Sequence, residues 1–137
     1  MFNALKVIHL TSVHPRNDTR IFIKECCSLS DNGYDVSFIV ADGRGNDLLN
    51  NVKIFDTGHL QGRINRMIKT TKAVFNKAVE LNGDIYHFHD PELIPVGLKL
   101  KKKGKTVIYD VHEDVPRQIK GKPYISKFLK PGISKVF

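Results

Sequence analysis

Long apolar runs are missing from this sequence, and nothing approaches the roughly 18 residues that a membrane-spanning helix needs. The start, Met1-Phe2-Asn3-Ala4-Leu5-Lys6, has neither the basic opening nor the apolar block of a signal peptide. Cysteine is scarce. Cys26 and Cys27 are the only two, and they sit side by side in a segment with helical spacing, so they point apart. Neither a disulfide nor a metal-ligand spacing follows from them, and the expected compartment is reducing, hence cytoplasmic. The loop after the first apolar run holds no glycine, and neither G-x-G-x-x-G nor G-K-[ST] occurs. An ordinary dinucleotide site and a P-loop are therefore unsupported. No serine or cysteine stands beside a base as a nucleophile would. Internal repeats and low-complexity linkers are absent too.

What is present describes one folded domain, residues 1–137. The chain has 137 residues, 41% hydrophobic and 26% charged, enough to bury a core and too apolar for disorder. The formal charge of +8 falls late, on Lys99, Lys101, Lys102, Lys103 and Lys105, then Lys120, Lys122, Lys127, Lys130 and Lys135. Such an excess suits a nucleic acid, an anionic membrane face or a phosphorylated ligand. It equally suits a helix end, where cations favour the dipole.

Periodicity predicts an alternating α/β order. Leu5 to Leu10 reads as a strand buried on both sides. Asp18 caps a helix that starts near Thr19 or Arg20, carries Phe22, Cys26 and Leu29 at helical spacing with Ile23 and Cys27 beside them, and ends at Gly33. Tyr34 to Ala41 is a second strand, with Val36, Phe38 and Val40 on one face. The polar stretch Asp42 to Asn51 precedes a third strand, Val52 to Phe55, and a loop, Thr57 to Gly62. Ile64, Ile68, Thr71, Phe75 and Ala78, with Met67 and Val74, predict a long amphipathic helix closed by Gly83. Ile85 to His89 is a fourth strand, Glu92 to Lys103 its helix, and Thr106 to Tyr109 opens a fifth. Strand–helix alternation predicts a Rossmann-like, three-layer domain with a parallel sheet of order about 3-2-1-4-5. Tyr124 to Pro131 and Ile133 to Phe137 read as a basic amphipathic segment that stops in mid-pattern, as a truncated domain would.

Ligands in open α/β sheets sit beyond the carboxyl ends of the strands, and three polar loops are expected there. The first holds His14, Pro15, Arg16, Asn17 and Asp18, leading into Arg20. The second holds His89, Asp90 and Glu92, and the third His112, Glu113 and Asp114. His112 follows a buried strand among carboxylates that can fix its tautomer, and it suits a hydrogen bond to a hydroxyl or phosphate oxygen. The alternative is a strand-end histidine bonded to a backbone carbonyl. Asp90 suits orientation or deprotonation of a hydroxyl, or a helix cap before Pro91. Arg16 and Arg20 stand where a phosphate meets the first helix, although Arg20 can equally pair with Asp18 or Glu25. His87 and His89 share one strand face. With His112 they resemble metal ligands, but covered strands more often hold satisfied core histidines, and no metal is expected.

Taken together, Thr11-Ser12-Val13-His14-Pro15-Arg16-Asn17-Asp18-Thr19-Arg20-Ile21-Phe22, Lys24-Glu25, Asn32-Gly33-Tyr34-Asp35-Val36, His87-Phe88-His89-Asp90-Pro91-Glu92-Leu93 and Tyr109-Asp110-Val111-His112-Glu113-Asp114 resemble the N-terminal domain of bacterial group 1 (family 4) retaining glycosyltransferases of the capsule and O-antigen type. The resemblance implies a GT-B fold of two Rossmann-like domains facing a cleft, with this chain as the acceptor-side half. The half that holds the nucleotide-sugar, through an Arg/Lys pair and an E-x7-E motif, is absent from it. It implies His112 beside the reacting sugar, Asp90 and its neighbour His89 at the acceptor site, and His14, Arg16, Asp18, Arg20 and Glu113 around the substrates. Where many members carry a glycine-rich first loop, this chain has His14-Pro15-Arg16-Asn17-Asp18, which shifts the polar role to Arg20 or Asp18.

The expected activity is sugar transfer, with retention, from a nucleotide-sugar to a lipid-linked glycan, without a cofactor or catalytic metal. The 137-residue chain alone is expected to be inactive. The basic tail suits a peripheral contact with anionic lipid at the inner membrane face, or packing on the absent domain. The rival readings are a non-catalytic binding or assembly module, dimerising through the face left bare, and a nucleic-acid binder. The last lacks interleaved exposed aromatics and any motif, and no nucleic-acid partner is expected.

Overall fold

In the computed structural model, residues 4–110 are described. They form a six-stranded sheet of order β3-β4-β2-β1-β5-β6: β1 Lys6–Leu10, β2 Asp35–Val40, β3 Asp47–Leu49, β4 Val52–Asp56, β5 Ile85–Phe88 and β6 Thr106–Tyr109. Every neighbouring pair is parallel except the β3–β4 edge. The five strands read from the sequence thus occupy the expected order, and β3 is added outside them. It lies in the polar stretch that carried no strand expectation. Asn50 and Asn51 both adopt positive φ, 50° and 65°, which makes the two-residue turn that folds β3 back onto β4.

Among the described residues, three helical segments cover the sheet. The first starts with Thr19–Cys26, wound in the wide i→i+5 pattern, and continues as α-helix Cys27–Asp31. The expected cap is there: Asp18 Oδ1 accepts from the Arg20 and Ile21 amides, each at 3.0 Å. The wide winding changes the phase of the core face. Ile21 and Cys26, five apart, are buried, whereas Ile23 is 54% exposed. With Val36, Phe38, Val40, Val52 and Ile54 they form one core layer.

The second segment runs through Arg63–Asn65, Arg66–Thr70 and Thr71–Leu81, the third through Pro91–Leu93 and Ile94–Lys102. Both pack on the opposite face, where Val74, Ala78, Leu93 and Leu100 meet Ile8, Leu10, Tyr86, Phe88, Val107 and Tyr109. Right-handed crossovers account for this division: the chain leaves β1 in one direction and β5 in the other. Lys99, Lys101 and Lys102 occupy the last turn of the third helix, where they complement its dipole.

Two expectations need correction. Ile64 and Ile68 are not core residues; they are 73% and 64% exposed, because the second helix reaches the sheet only from Thr70 onward. Nor does Gly83 supply its left-handed end. Asn82 does, at φ 49°, while Gly83 serves close packing: a Cβ there would lie 2.6 Å from Ile8 Cδ1. No helix among the described residues is long and apolar enough to cross a membrane.

Tyr86 ties the end of the second helix to β5. Its hydroxyl donates to the Ala78 carbonyl at 2.7 Å and accepts from the Gly83 amide at 2.8 Å, satisfying two groups at a buried helix terminus. Tyr86→Phe strands both, and should lower the stability read from urea denaturation by about 1–3 kcal/mol with the circular dichroism spectrum unchanged.

Candidate functional site

The sequence places short polar loops after β1 and β5, and the parallel pairing of those strands brings the loops together. Asp90, 2% exposed, is the centre. Its Oδ2 accepts from Thr11 Oγ1 at 2.6 Å, the Ser12 amide at 2.7 Å and Ser12 Oγ at 3.4 Å. Thr11 Oγ1 in turn accepts from the His14 amide at 3.0 Å, which fixes the turn. Asp90 makes no side-chain cap to the helix behind it, so the capping alternative is excluded in this structure.

His14 is the group this arrangement presents. Its Nε2 lies 3.0 Å from Asp90 Oδ1 and its Nδ1 3.5 Å from Asp18 Oδ2. An imidazole held between two carboxylates keeps a fixed orientation and is suited to passing a proton or hydrogen-bonding a hydroxyl. Ser12 Oγ also donates to Glu92 Oε2 at 2.9 Å, and Glu92 Oε1 accepts from Arg66 Nε at 3.1 Å. Beside these groups lies a cavity of about 250 Å³ lined by Ser12, His14, Asp42, His59, Arg66 and Thr70 among others.

Arg16 takes a different position from a substrate-facing arginine. Its Nη2 donates to Asp42 Oδ1 at 2.7 Å and to the Gly45 carbonyl at 2.6 Å, and its Nε donates to Asp42 Oδ2 at 2.9 Å. The pair is nearly buried and locks the loop after β1 to the loop after β2. Arg20 is half-exposed, and its Nη2 reaches Asp110 Oδ1 at 3.3 Å rather than Asp18 or Glu25.

Asp110 borders a second polar group, on the first-helix face of the sheet. His89, barely exposed, sets its Nε2 3.1 Å from His9 Nδ1 and 3.5 Å from Glu25 Oε1. His87 Nε2 lies 3.6 Å from Asp110 Oδ2. Burial, aided by the neighbouring His87 charge, holds His9 well below the usual histidine range. Burial also pushes the Glu25 carboxyl up to about 8, with a hydrogen bond to Asp110 and its charge acting the same way.

The structure therefore joins His14, Asp18 and Asp90 in one network. It puts His89 and Arg20 in the adjoining one and turns Arg16 to Asp42. His112 and Glu113 lie outside the described residues, as does the basic tail. No motif or periodicity in the sequence points to His59, Arg66 or the Ser12–Glu92 link. Their signal was position alone, since His59 follows β4 and Arg66 lies in the next helix turn. For His9 the signal is a histidine inside the apolar run Val7-Ile8-His9-Leu10, which is itself unusual.

No protein-family model and no curated protein matches the chain. Among solved structures, it is similar to a trehalose-6-phosphate synthase from E. coli bound with UDP-2-fluoro glucose, with a TM-score of 0.58 and 11% identity over 78% of this chain. The match spans 33% of that longer chain. At this identity the likeness establishes the fold: a Rossmann-like α/β domain of the kind that forms half of a GT-B structure.

The Arg16–Asp42 lock has a pH signature. The Arg16 hydrogen bond, working against burial, lowers the Asp42 carboxyl from 3.8 to about 2. A depressed carboxylate stabilises the fold above its unfolded value, and that contribution is lost as the pH falls through the folded one. Stability should therefore decline between about pH 4 and pH 2. Asp42→Asn should flatten this part of the profile and cost about 1–3 kcal/mol at pH 7, between the values of exposed and buried ion pairs. Chemical denaturation across that range measures both.

Proposed function

We propose that this chain is the N-terminal, acceptor-side domain of a retaining GT-B glycosyltransferase of the capsule and O-antigen type. In the complete enzyme a sugar passes from a nucleotide-sugar to a hydroxyl of a lipid-linked glycan. The observation that carries this reading is the Asp90–Ser12–His14 network at the carboxyl edge between β1 and β5. There the crossovers diverge, and an open α/β sheet forms its ligand crevice. Similarity to a glycosyltransferase solved with a nucleotide-sugar analogue supports it. So does the size of the cavity, about 250 Å³, small beside the roughly 300–1,000 Å³ of whole ligand sites and suited to one side of a cleft.

Within this reading His14 contacts the acceptor hydroxyl, and buried Asp90 acts through it as a positioning residue. His112 steadies the donor sugar, Glu113 and Arg20 border the substrates, and Arg16 shapes the loop. Exposed Leu60, Ile64, Met67 and Ile68, interspersed with Arg63, Lys69 and Lys72, suit peripheral contact with anionic lipid beside a lipid-linked acceptor.

The same apolar patch favours a second reading, a binding and assembly module without turnover. Light scattering separates the two, since a monomer at high concentration removes self-assembly.

The direct test compares this chain with the protein extended by its downstream reading frame, supplied with labelled nucleotide-sugars and lipid-linked acceptor. Transfer with retained anomeric configuration is expected from the extended protein alone. There, His14→Ala should lower kcat/KM by roughly 10²-fold with an unchanged melting midpoint. Turnover by the 137-residue chain, or inversion of configuration, would contradict the proposal.

A further inference from the structure

Strand register assembles a second polar centre beside the first. Ile54, Phe38, His9, His87 and Ile108 are successive register partners across β4, β2, β1, β5 and β6. One row on the first-helix face thus changes from hydrocarbon to imidazole at β1 and β5. His89 stands two residues along from His87 on the same face, and Glu25 descends onto them from the first helix.

We propose that His9, His87, His89 and Glu25 form a site for one divalent transition-metal ion of the zinc type, tying the first helix to β1 and β5. The donors are of the right kind, since imidazole and carboxylate together suit zinc and its neighbours. Each residue offers one ligand atom, and these four atoms lie within 4.8 Å of one another. His89 Nε2 is 3.1 Å from His9 Nδ1 and 3.5 Å from Glu25 Oε1, close to the roughly 3.3 Å between ligand atoms on a tetrahedral zinc with bonds of about 2.0–2.1 Å.

The rings now lie at 14–32° to one another. Histidine χ2 has a broad well, so they can converge by rotation without moving the strands. Charge also balances once the ion displaces the proton shared by Glu25 and Asp110: the two carboxylates, with three neutral imidazoles, then offset a double positive charge. Asp110 Oδ2, 3.6 Å from His87 Nε2 and 3.9 Å from His89 Nδ1, stands where a carboxylate orients ligating histidines from behind.

One further observation points to a ligand. His9 is wholly buried, and its Nδ1 faces His89 Nε2 at 3.1 Å, so two imidazole nitrogens meet inside the core where an ion between them would satisfy both. A cavity of about 420 Å³, lined by His9, Glu25 and His87 with Val7, Ile85 and Ile108, gives an ion an entry path. The site rests on these contacts alone and holds whether or not the chain belongs to a glycosyltransferase.

The test is titration of the purified, metal-stripped chain with zinc, and with cobalt as a spectroscopic probe, in competition with a chromophoric chelator. One equivalent should bind per chain, cobalt should give the intense visible bands of four-coordination, and saturating zinc should raise the melting midpoint by roughly 5–10 °C. His9→Gln and Glu25→Gln should each weaken binding at least ~100-fold, and His59→Ala should not. Should His9→Gln fail to fold, Glu25→Gln decides, since it keeps the shape of a half-buried side chain. No saturable uptake, unchanged affinity in Glu25→Gln, or loss of binding in His14→Ala with retention in His9→Gln would overturn the proposal.

Discussion

A single carboxylate oxygen holds the working edge of this domain together. Asp90 Oδ2 is buried where β5 ends, and a polar oxygen there is tolerated only if donors surround it. Thr11 and Ser12 supply those donors from the end of β1. Both bonds are short, at 2.6 and 2.7 Å. Because the amide of Ser12 and the hydroxyl of Thr11 are both engaged, the loop after β1 has little freedom. The positions of His14, Asp18 and the start of the first helix follow from that constraint.

The sheet was legible in the sequence because its signals are local. Apolar runs bounded by glycine and aspartate mark five of the strands, and right-handed crossovers leave few orders for them. What escaped is instructive. β3 escaped because an edge strand needs no buried residues, and only the Asn50-Asn51 turn betrays it. The core position of Ile21 escaped because the first helix opens with wide winding, and no residue type announces that. Ile64 and Ile68 escaped because an amphipathic stripe shows which face is apolar, not how far along the helix a partner extends.

The site divides in the same way. That loops after β1 and β5 meet is a consequence of strand order, so His14, Asp18 and Asp90 could be grouped from sequence. Which of them faces the cleft could not. Asp90 is buried and His14 is the more exposed of the two, so in the proposed reading His14 meets the acceptor and the carboxylate supports it. Arg16 looked like a phosphate ligand until Asp42, 26 residues away, claimed its guanidinium. Side-chain pairing over such distances depends on loop geometry that periodicity does not encode.

The histidine row extends this point. His87 and His89 look like ordinary strand residues when read alone, because the chain does not reveal what stands across from them. Register supplies His9 opposite His87, and helix winding supplies Glu25 above. A sheet built for stability would fill this row with hydrocarbon, as it does at Phe38 and Ile54. Imidazoles there give up apolar burial and demand partners. Arg20 and Asp110 then connect this row to the cleft: Arg20 N rests on Asp18 Oδ1, its guanidinium on Asp110, and Asp110 on the imidazoles. The first helix is therefore common to both polar centres. Whatever fixes Glu25 on one side of it also constrains Asp18, and through Asp18 the imidazole of His14.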